Sequence, residues 1–385
     1  MGPDRARTVE WRWLDLGSVD GPTMVNVFVS LAGPVGRRES LPTVVVLHPA
    51  APFANVGYHQ EADREIDLEY CRGAGIPVVR RVVGGGAILD GPWEQDYMVI
   101  VPNGTAGTEA GVGPFYDRFL GPVQRTLARL GVRAERSGVN DLAVAGRKVS
   151  ANGALSLDGS WVLVGDILRE LDVAAMTRVL RVPDEKFRGK LAKGMDEWLT
   201  SLTALLGSAP SRTAITRALR EEYEREFGVS LVPGSLTEAE VGTLTRLRAE
   251  RSSDAWTFLK ESSHPGFRSP DLPPPGRSVK IAHDTYLGRS DRKAGKLVRV
   301  TLRSRGGAVE EIEISGDFFT QPFAGHLDEL EASLVGCRLE RGPLEGAIAR
   351  WAADRKVALL GISGSDLVGA ILDAGPPAAG NPAPP

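Results

Sequence analysis

The chain has 385 residues, 42% of them apolar and 25% charged, with 46 Lys and Arg against 49 Asp and Glu for a formal net charge of −3. This length allows two domains with ordinary globular cores, and so small a net charge gives no global reason to expect a nucleic-acid partner. Two cysteines far apart, Cys71 and Cys337, argue against a disulfide framework or a zinc knuckle. No apolar run reaches membrane-spanning length and no basic, then apolar, leader opens the chain, so no membrane partner is expected and the cytoplasm is the expected location.

Trp11 and Trp13 alternate about Arg12 and predict an entering strand, followed by a helical or extended piece over 24–31. Residues 43–48 form a β-branched run between turn residues and predict a buried strand. Residues 62–73 suit a short amphipathic helix stopped at Gly73. Residues 76–82 predict a strand leading into Gly84-Gly85-Gly86, and 97–101 another, closed by Pro102-Asn103-Gly104. Leu120, Val123, Leu127 and Leu130 recur every three or four residues, which predicts a helix over 116–130 stopped by Gly131. Residues 141–154 have hairpin character about the turn Ala145-Gly146, and 161–165 predict a further strand.

Helical patterns dominate 172–252, notably 212–227 and 237–250, the latter opened by a capping box from Thr237 to Glu240. Strands early and helices late predict an α+β domain with a largely antiparallel sheet and flanking helices. Prolines 265, 270, 273, 274 and 275 mark 263–277 as a stiff linker. Beyond it, strands over 297–302 and 309–314 about Arg305-Gly306-Gly307, then helices over 326–335 and 343–351, predict a small second α+β domain. The expected organisation is 1–262, a linker 263–277, 278–373, and a disordered tail 374–385.

Three segments carry candidate chemistry. In Arg80-Arg81-Val82-Val83-Gly84-Gly85-Gly86-Ala87-Ile88-Leu89, glycines would let backbone amides approach a phosphate while arginine offers a planar charged fork. The second segment is Asn140-Asp141-Leu142-Ala143-Val144-Ala145-Gly146-Arg147-Lys148-Val149-Ser150, and the third is Ile314-Ser315-Gly316-Asp317-Phe318-Phe319. Taken singly each has a plain reading: a structural glycine turn with a strand-end arginine, a solvated lysine in a hairpin after an Asn-Asp turn, and two packing aromatics after a turn.

Together and in this order they resemble the lipoate–protein ligase family of the biotin/lipoate ligase superfamily. The resemblance runs on through Pro183-Asp184-Glu185-Lys186-Phe187 to near Trp256, and the third segment is similar to the hallmark of these ligases' accessory domain, here fused behind the catalytic one. It implies a two-step reaction: ATP and lipoate form lipoyl-AMP, and a lysine of a transiently bound lipoyl-acceptor domain then takes the acyl group. It assigns Lys148 as the central cation on the carbonyl and α-phosphate oxygens. Arg81 would hold phosphate, Gly84, Gly85, Gly86, Ala87, Ile88 and Leu89 would wall the adenylate and acyl group, and Asn140 and Asp141 would serve a Mg2+-bound phosphate, with Asp141 on the metal. His59 is assigned no role.

Some positions depart from the family pattern. Asp90-Gly91 stands where a histidine and an aspartate are usual. Lys148-Val149-Ser150-Ala151-Asn152-Gly153-Ala154 replaces the usual run after the lysine, and Asp158-Gly159-Ser160 replaces a His-Gly before Trp161-Val162-Leu163. These positions are expected around the acyl pocket and leave lipoate or octanoate open. Transferases of the same fold, which take octanoyl or lipoyl from a carrier without ATP, are an alternative; some place a cysteine nucleophile before the Gly-Arg-Lys hairpin, whereas residues 137–142 hold none. A non-catalytic binder of lipoyl domains is the alternative outside enzymology.

Overall fold

The structure is a computed structural model that describes residues 9–109, 111–181, 194–268, 272–323 and 326–377. The run Pro183-Asp184-Glu185-Lys186-Phe187 and the tail from 378 lie outside the described residues. The chain divides into two compact units. One holds Met1–Asn55, Ile66–Val79 and Ile88–Ser253, and the other Val56–Glu65, Arg80–Ala87 and Asp254–Pro385. The division thus falls after Ser253, and the glycine-rich loop groups with the C-terminal sequence.

Up to Pro233 the strands are β1 (Val9–Val19), β2 (Thr43–Pro49), β3 (Phe53–Val56), β4 (Val78–Arg80), β5 (Ile88–Asp90), β6 (Glu94–Pro102), β7 (Glu135–Ser137), β8 (Asp141–Val144), β9 (Arg147–Ser150), β10 (Asn152–Leu157), β11 (Ser160–Leu168) and β12 (Val229–Pro233). The first unit is built on a six-stranded sheet of order β10-β11-β6-β2-β1-β12. Its pairs are antiparallel except that β1 runs parallel to both β2 and β12. Period-two alternation sorts the side chains. Trp11, Trp13, Val44, Val46, Tyr97, Val99, Val101, Leu163 and Ile167 pack against the helices Val112–Arg129 and Arg212–Phe227 through Phe115, Phe119, Val123, Leu127, Ile215, Leu219 and Tyr223. A third helix, Val27–Gly36, is apolar nearly all round and packs against β6 and β11, its buried residues including Phe28, Leu31 and Val35. Beside the sheet, β7, β8 and β9 form a small antiparallel sheet of their own.

The helix expected over 62–73 is two helices, Ala62–Glu65 and Leu68–Ala74. Asp67 breaks the run by capping the second, accepting the Tyr70 N–H at 2.9 Å, and Gly75 rather than Gly73 supplies the left-handed stop at φ 66°.

The second unit carries β13 (Arg277–Ala282), β14 (Thr285–Ala294), β15 (Lys296–Arg305) and β16 (Ala308–Gly316) as an antiparallel meander, and β17 (Phe319–Gln321) paired with β18 (Ala358–Leu360). Val298, Val300, Leu302, Ile312, Ile314 and Phe318 pack against the helices Leu327–Leu334, Arg341–Asp354 and Gly364–Ala374. Part of the stretch read as a linker is packed. Phe267 is fully buried, and Arg268 is ion-paired with Glu61 at 2.7 Å and with Glu313. An aromatic and a guanidinium between the prolines give this stretch partners that its proline content does not reveal.

Candidate active site

In the first unit the site builds up from the turn Ala145-Gly146. Both residues have positive φ, 48° and 79°, which matches the twist of a two-residue hairpin. The ladder pairs Val144 with Arg147 and Ala143 with Lys148, then shifts register so that Leu142 faces Ser150. Such a shift re-aims the side chains beside it. The Lys148 backbone is held from a second side, its carbonyl accepting the Thr200 N–H at 2.8 Å, and Val149 is fully buried in the core. The lysine therefore has a fixed root and a side chain that is 36% exposed, with Nζ 2.8 Å from Asp141 Oδ2. Asn140 donates from Nδ2 to the Asn152 carbonyl. Below the hairpin the Tyr97 hydroxyl donates to Asn152 Oδ1, and Asn152 Nδ2 donates to Ser150 Oγ at 3.2 Å. A Cβ at Gly165 would stand 2.0 Å from that Asn152 oxygen, so only glycine fits in the strand there.

Behind the hairpin lies a group of carboxylates of which only Asp90 is expected near the site from sequence. Asp96 and Asp166 face each other across β6 and β11, Glu94 is two residues along on the same face, and Asp90 accepts from Asn55 Nδ2 at 2.6 Å. All four are buried. Burial, then the neighbouring acids Asp90 and Asp166, push Asp96 well above the usual carboxylate range, and burial followed by Asp90, Asp96 and Asp166 does the same to Glu94. Burial pushes Asp166 up to about 7, opposed by its hydrogen bond from the Ala151 N–H and by the Lys148 charge.

An aspartate in an unfolded chain ionises near ~3.9. Asp166 holds its proton to about 7 in the fold, so its contribution favours the fold at low pH and is lost as pH rises from about 4 through about 7. Asp166→Asn is expected to raise stability at pH 8 by about 1 to 3 kcal/mol and to leave it nearly unchanged at pH 4. Denaturant melts at the two pH values check this; an equal effect at both would contradict it.

The remaining expected residues of the site fall in both units. Ile88 and Leu89 lie on β5, paired with Asn55 and Ala54 of β3, Ile88 exposed and Leu89 buried. Arg81, Gly84, Gly85, Gly86 and Ala87 belong to the second unit. There the two arginines have different tasks. Arg80 is fully buried and donates to five carbonyls: Gly57 at 3.0 Å, Tyr58 at 2.9 Å, Gln60 at 2.6 Å, Trp256 at 3.2 Å and Thr257 at 3.0 Å. Arg81 folds the loop about itself, Nη2 donating to the Gly84 carbonyl at 2.9 Å and the Gly86 carbonyl at 2.7 Å. A Cβ at Gly84 would stand 2.5 Å from the Phe318 carbonyl oxygen, whereas one at Gly86 would meet open space. Gly84 is thus explained by packing, whereas the space beside Gly86 is open.

The residues present do not form a cage for Mg2+. The Asp141 carboxylate is engaged by Lys148, and among the described residues no group of three or more His, Cys, Asp or Glu could hold a metal ion. Nor is any helix among them long and apolar enough to cross a membrane.

The first unit is thus a mixed sheet flanked by helices, with Lys148 rooted in a tight hairpin beside it. The family model "Lipoyl protein ligase A/B catalytic domain" matches residues 34–224. The octanoyltransferase LipM of Kyrpidia tusciae is 30% identical over 274 residues, which are 65% of this chain and 99% of that protein. The lipoate-protein ligase LplJ of Bacillus subtilis is 27% identical over 292 residues, 75% of this chain and 80% of that one. Among solved structures, a chain from the archaeal lipoylation system of Thermoplasma acidophilum, a bi-partite lipoate protein ligase and its E2 lipoyl domain, superposes with a TM-score of 0.58 at 23% identity, covering 65% of this chain and 96% of its own. The chain belongs to the lipoyl protein ligase A/B family, which joins lipoate ligases with octanoyltransferases.

Proposed function

We propose that this chain is an ATP-dependent lipoate–protein ligase. A lipoate carboxylate oxygen attacks the α-phosphorus of ATP, the bond to the bridging oxygen breaks, and pyrophosphate leaves lipoyl-AMP behind. The neutral amine of an acceptor lysine then attacks the acyl carbon. The C–O bond to AMP breaks, its electron pair leaves with the phosphate, and the amine gives up its proton as the amide forms. Lys148 holds positive charge where carbonyl and phosphate oxygens gain negative charge, and its rooted backbone spares reorganisation at that moment. The partner on this reading is a lipoyl domain, of the kind that accompanies the Thermoplasma ligase. Magnesium arrives on the ATP phosphates rather than as a resident ion, and the ATP supply of the cytoplasm sets the location.

The observation that carries the choice of an adenylate over a thioester is the state of the cysteines. Cys71 is buried and its thiol is pushed up to about 11 by burial and then by Asp67, so it is a poor nucleophile. Cys337 lies in the other unit, and residues 137–142 before the hairpin hold no cysteine. The reach of the relatives supports the same side. LipM is matched almost whole by 65% of this chain, while the match to LplJ extends to 75%.

The likeness to LipM nonetheless favours a second reading, octanoyl transfer from a carrier protein without ATP. The variant carrying both Cys71→Ser and Cys337→Ser separates them. Lipoylation of an acceptor lipoyl domain from ATP and lipoate is expected within about twofold of the unchanged protein, in line with substitutions that touch no reacting group. Loss of transfer in that variant would move the assignment to a thiol-dependent transferase.

A further inference from the structure

Within the second unit the glycine loop rests on the Gly316-Asp317-Phe318-Phe319 segment. The Gly84 Cα approaches so closely that a Cβ would lie 2.5 Å from the Phe318 carbonyl oxygen and 3.0 Å from Phe319 Cδ1. At Gly85, whose φ is 92°, a Cβ would lie 3.2 Å from Phe319 Cζ and 3.2 Å from Arg81 Nη2. The other side of the loop is held by residues 57–60: Tyr58 N–H donates to the Val83 carbonyl at 3.1 Å, and a Cβ at Gly57 would lie 2.0 Å from the Gly85 carbonyl oxygen. His59 ties this side to the aromatic segment, its carbonyl accepting the Gly316 N–H at 3.1 Å and its ring stacked on Phe318 at 5.0 Å. Phe318 is fully buried and belongs to the core, whereas Phe319 is only partly buried, with Lys296 Nζ 5.2 Å from its ring centroid.

We infer that Phe319 is a positioning residue: its ring fixes the conformation of Gly84 and Gly85, which Arg81 ties together from within the loop, and so the aim of the amide at Gly86 toward the phosphate chain of ATP. The use of the loop for ATP rests on the ligase reading; the fixing of the loop does not. Glycine backbone is costly to order, and the pre-set floor removes that cost before the nucleotide arrives. Lys296 above the ring face restrains it through a cation–π contact. In this way a side chain that touches no reacting atom shapes the loop that does.

The test uses the full chain with Phe319→Ala and Phe319→Tyr. Amide hydrogen exchange is read at Gly84–Ala87 and, as a control, along β15 and β16. Phe319→Ala is expected to speed exchange in the loop about tenfold with the control strands unchanged, and Phe319→Tyr to restore it, the size being that of freeing about one residue's backbone. In lipoate-dependent pyrophosphate release, KM for ATP is expected to rise about tenfold in Phe319→Ala with kcat within about twofold. Transfer from preformed lipoyl-AMP should keep its kcat. Unchanged loop exchange in a folded Phe319→Ala protein overturns the inference, as does a loss spread equally over loop and strands. Should the unchanged protein release no pyrophosphate, the ligase reading fails while the exchange arm still decides whether Phe319 holds the loop.

Discussion

Lys148→Ala is expected to lower lipoate-dependent pyrophosphate release by about 10³-fold, the scale of removing a preorganised charge from a developing oxyanion. The fold should survive. The side chain is 36% exposed, and the contact it loses is an ion pair with Asp141 that is itself partly exposed. Such pairs contribute about 0 to 1 kcal/mol, and the buried neighbours Val149 and Ser150 stay in place. Lys148→Arg keeps the charge but replaces a compact ammonium with a wide planar fork, so rescue should be poor. Steady-state pyrophosphate assays beside a thermal melt check both halves. Normal turnover in Lys148→Ala would remove the lysine from the reaction.

Arg80→Met is expected to destabilise the second unit by about 3 to 5 kcal/mol, because removing one partner of a buried ion pair leaves the other uncompensated. Five carbonyls on two separate segments, residues 57–60 and 256–257, lose their donor at once. Glu261 Oε2, 3.5 Å from Nη2, also loses its counter-charge. Arg80→Lys should recover little, since one ammonium offers three donors and cannot span the same carbonyls in a plane. Chemical denaturation followed by fluorescence reads this well, because Trp256 Nε1 donates to the Arg80 carbonyl at 2.9 Å. A loss below about 1 kcal/mol, the size of an ordinary surface change, would contradict the clamp.

These two residues also mark how much the sequence discloses. The hairpin around Lys148 is legible because Ala145-Gly146 and its flanks are a local signal, as are the helix Arg212–Phe227 and the capping box of Glu238–Arg251. Arg80 and Arg81 look alike in sequence, yet one is wholly buried in carbonyls nearly two hundred residues apart and the other shapes the loop. No local pattern separates them, since the partners of Arg80 are set by tertiary packing. Asp90 alone is expected near the acyl pocket; its grouping with Glu94, Asp96 and Asp166 was hidden for a related reason. Buried acids run against the usual placement of charge, and these come from β5, β6 and β11, whose pairing the sequence does not specify. Two signals were present. Glu94 and Asp96 alternate at the head of an apolar strand, and Gly165 interrupts another just before Asp166. The grouping of residues 80–87 with the C-terminal unit was likewise beyond local reading, because Phe318 and Phe319, against which the loop packs, lie more than two hundred residues on.

In the proposed reaction the acyl group is activated by ATP. Pyrophosphate release by the full-length protein with ATP and magnesium, lipoate present or absent, tests it most directly. Release that depends on lipoate and needs no acceptor domain is expected. No release under either condition, together with octanoyl transfer from an acyl-carrier protein, would contradict it.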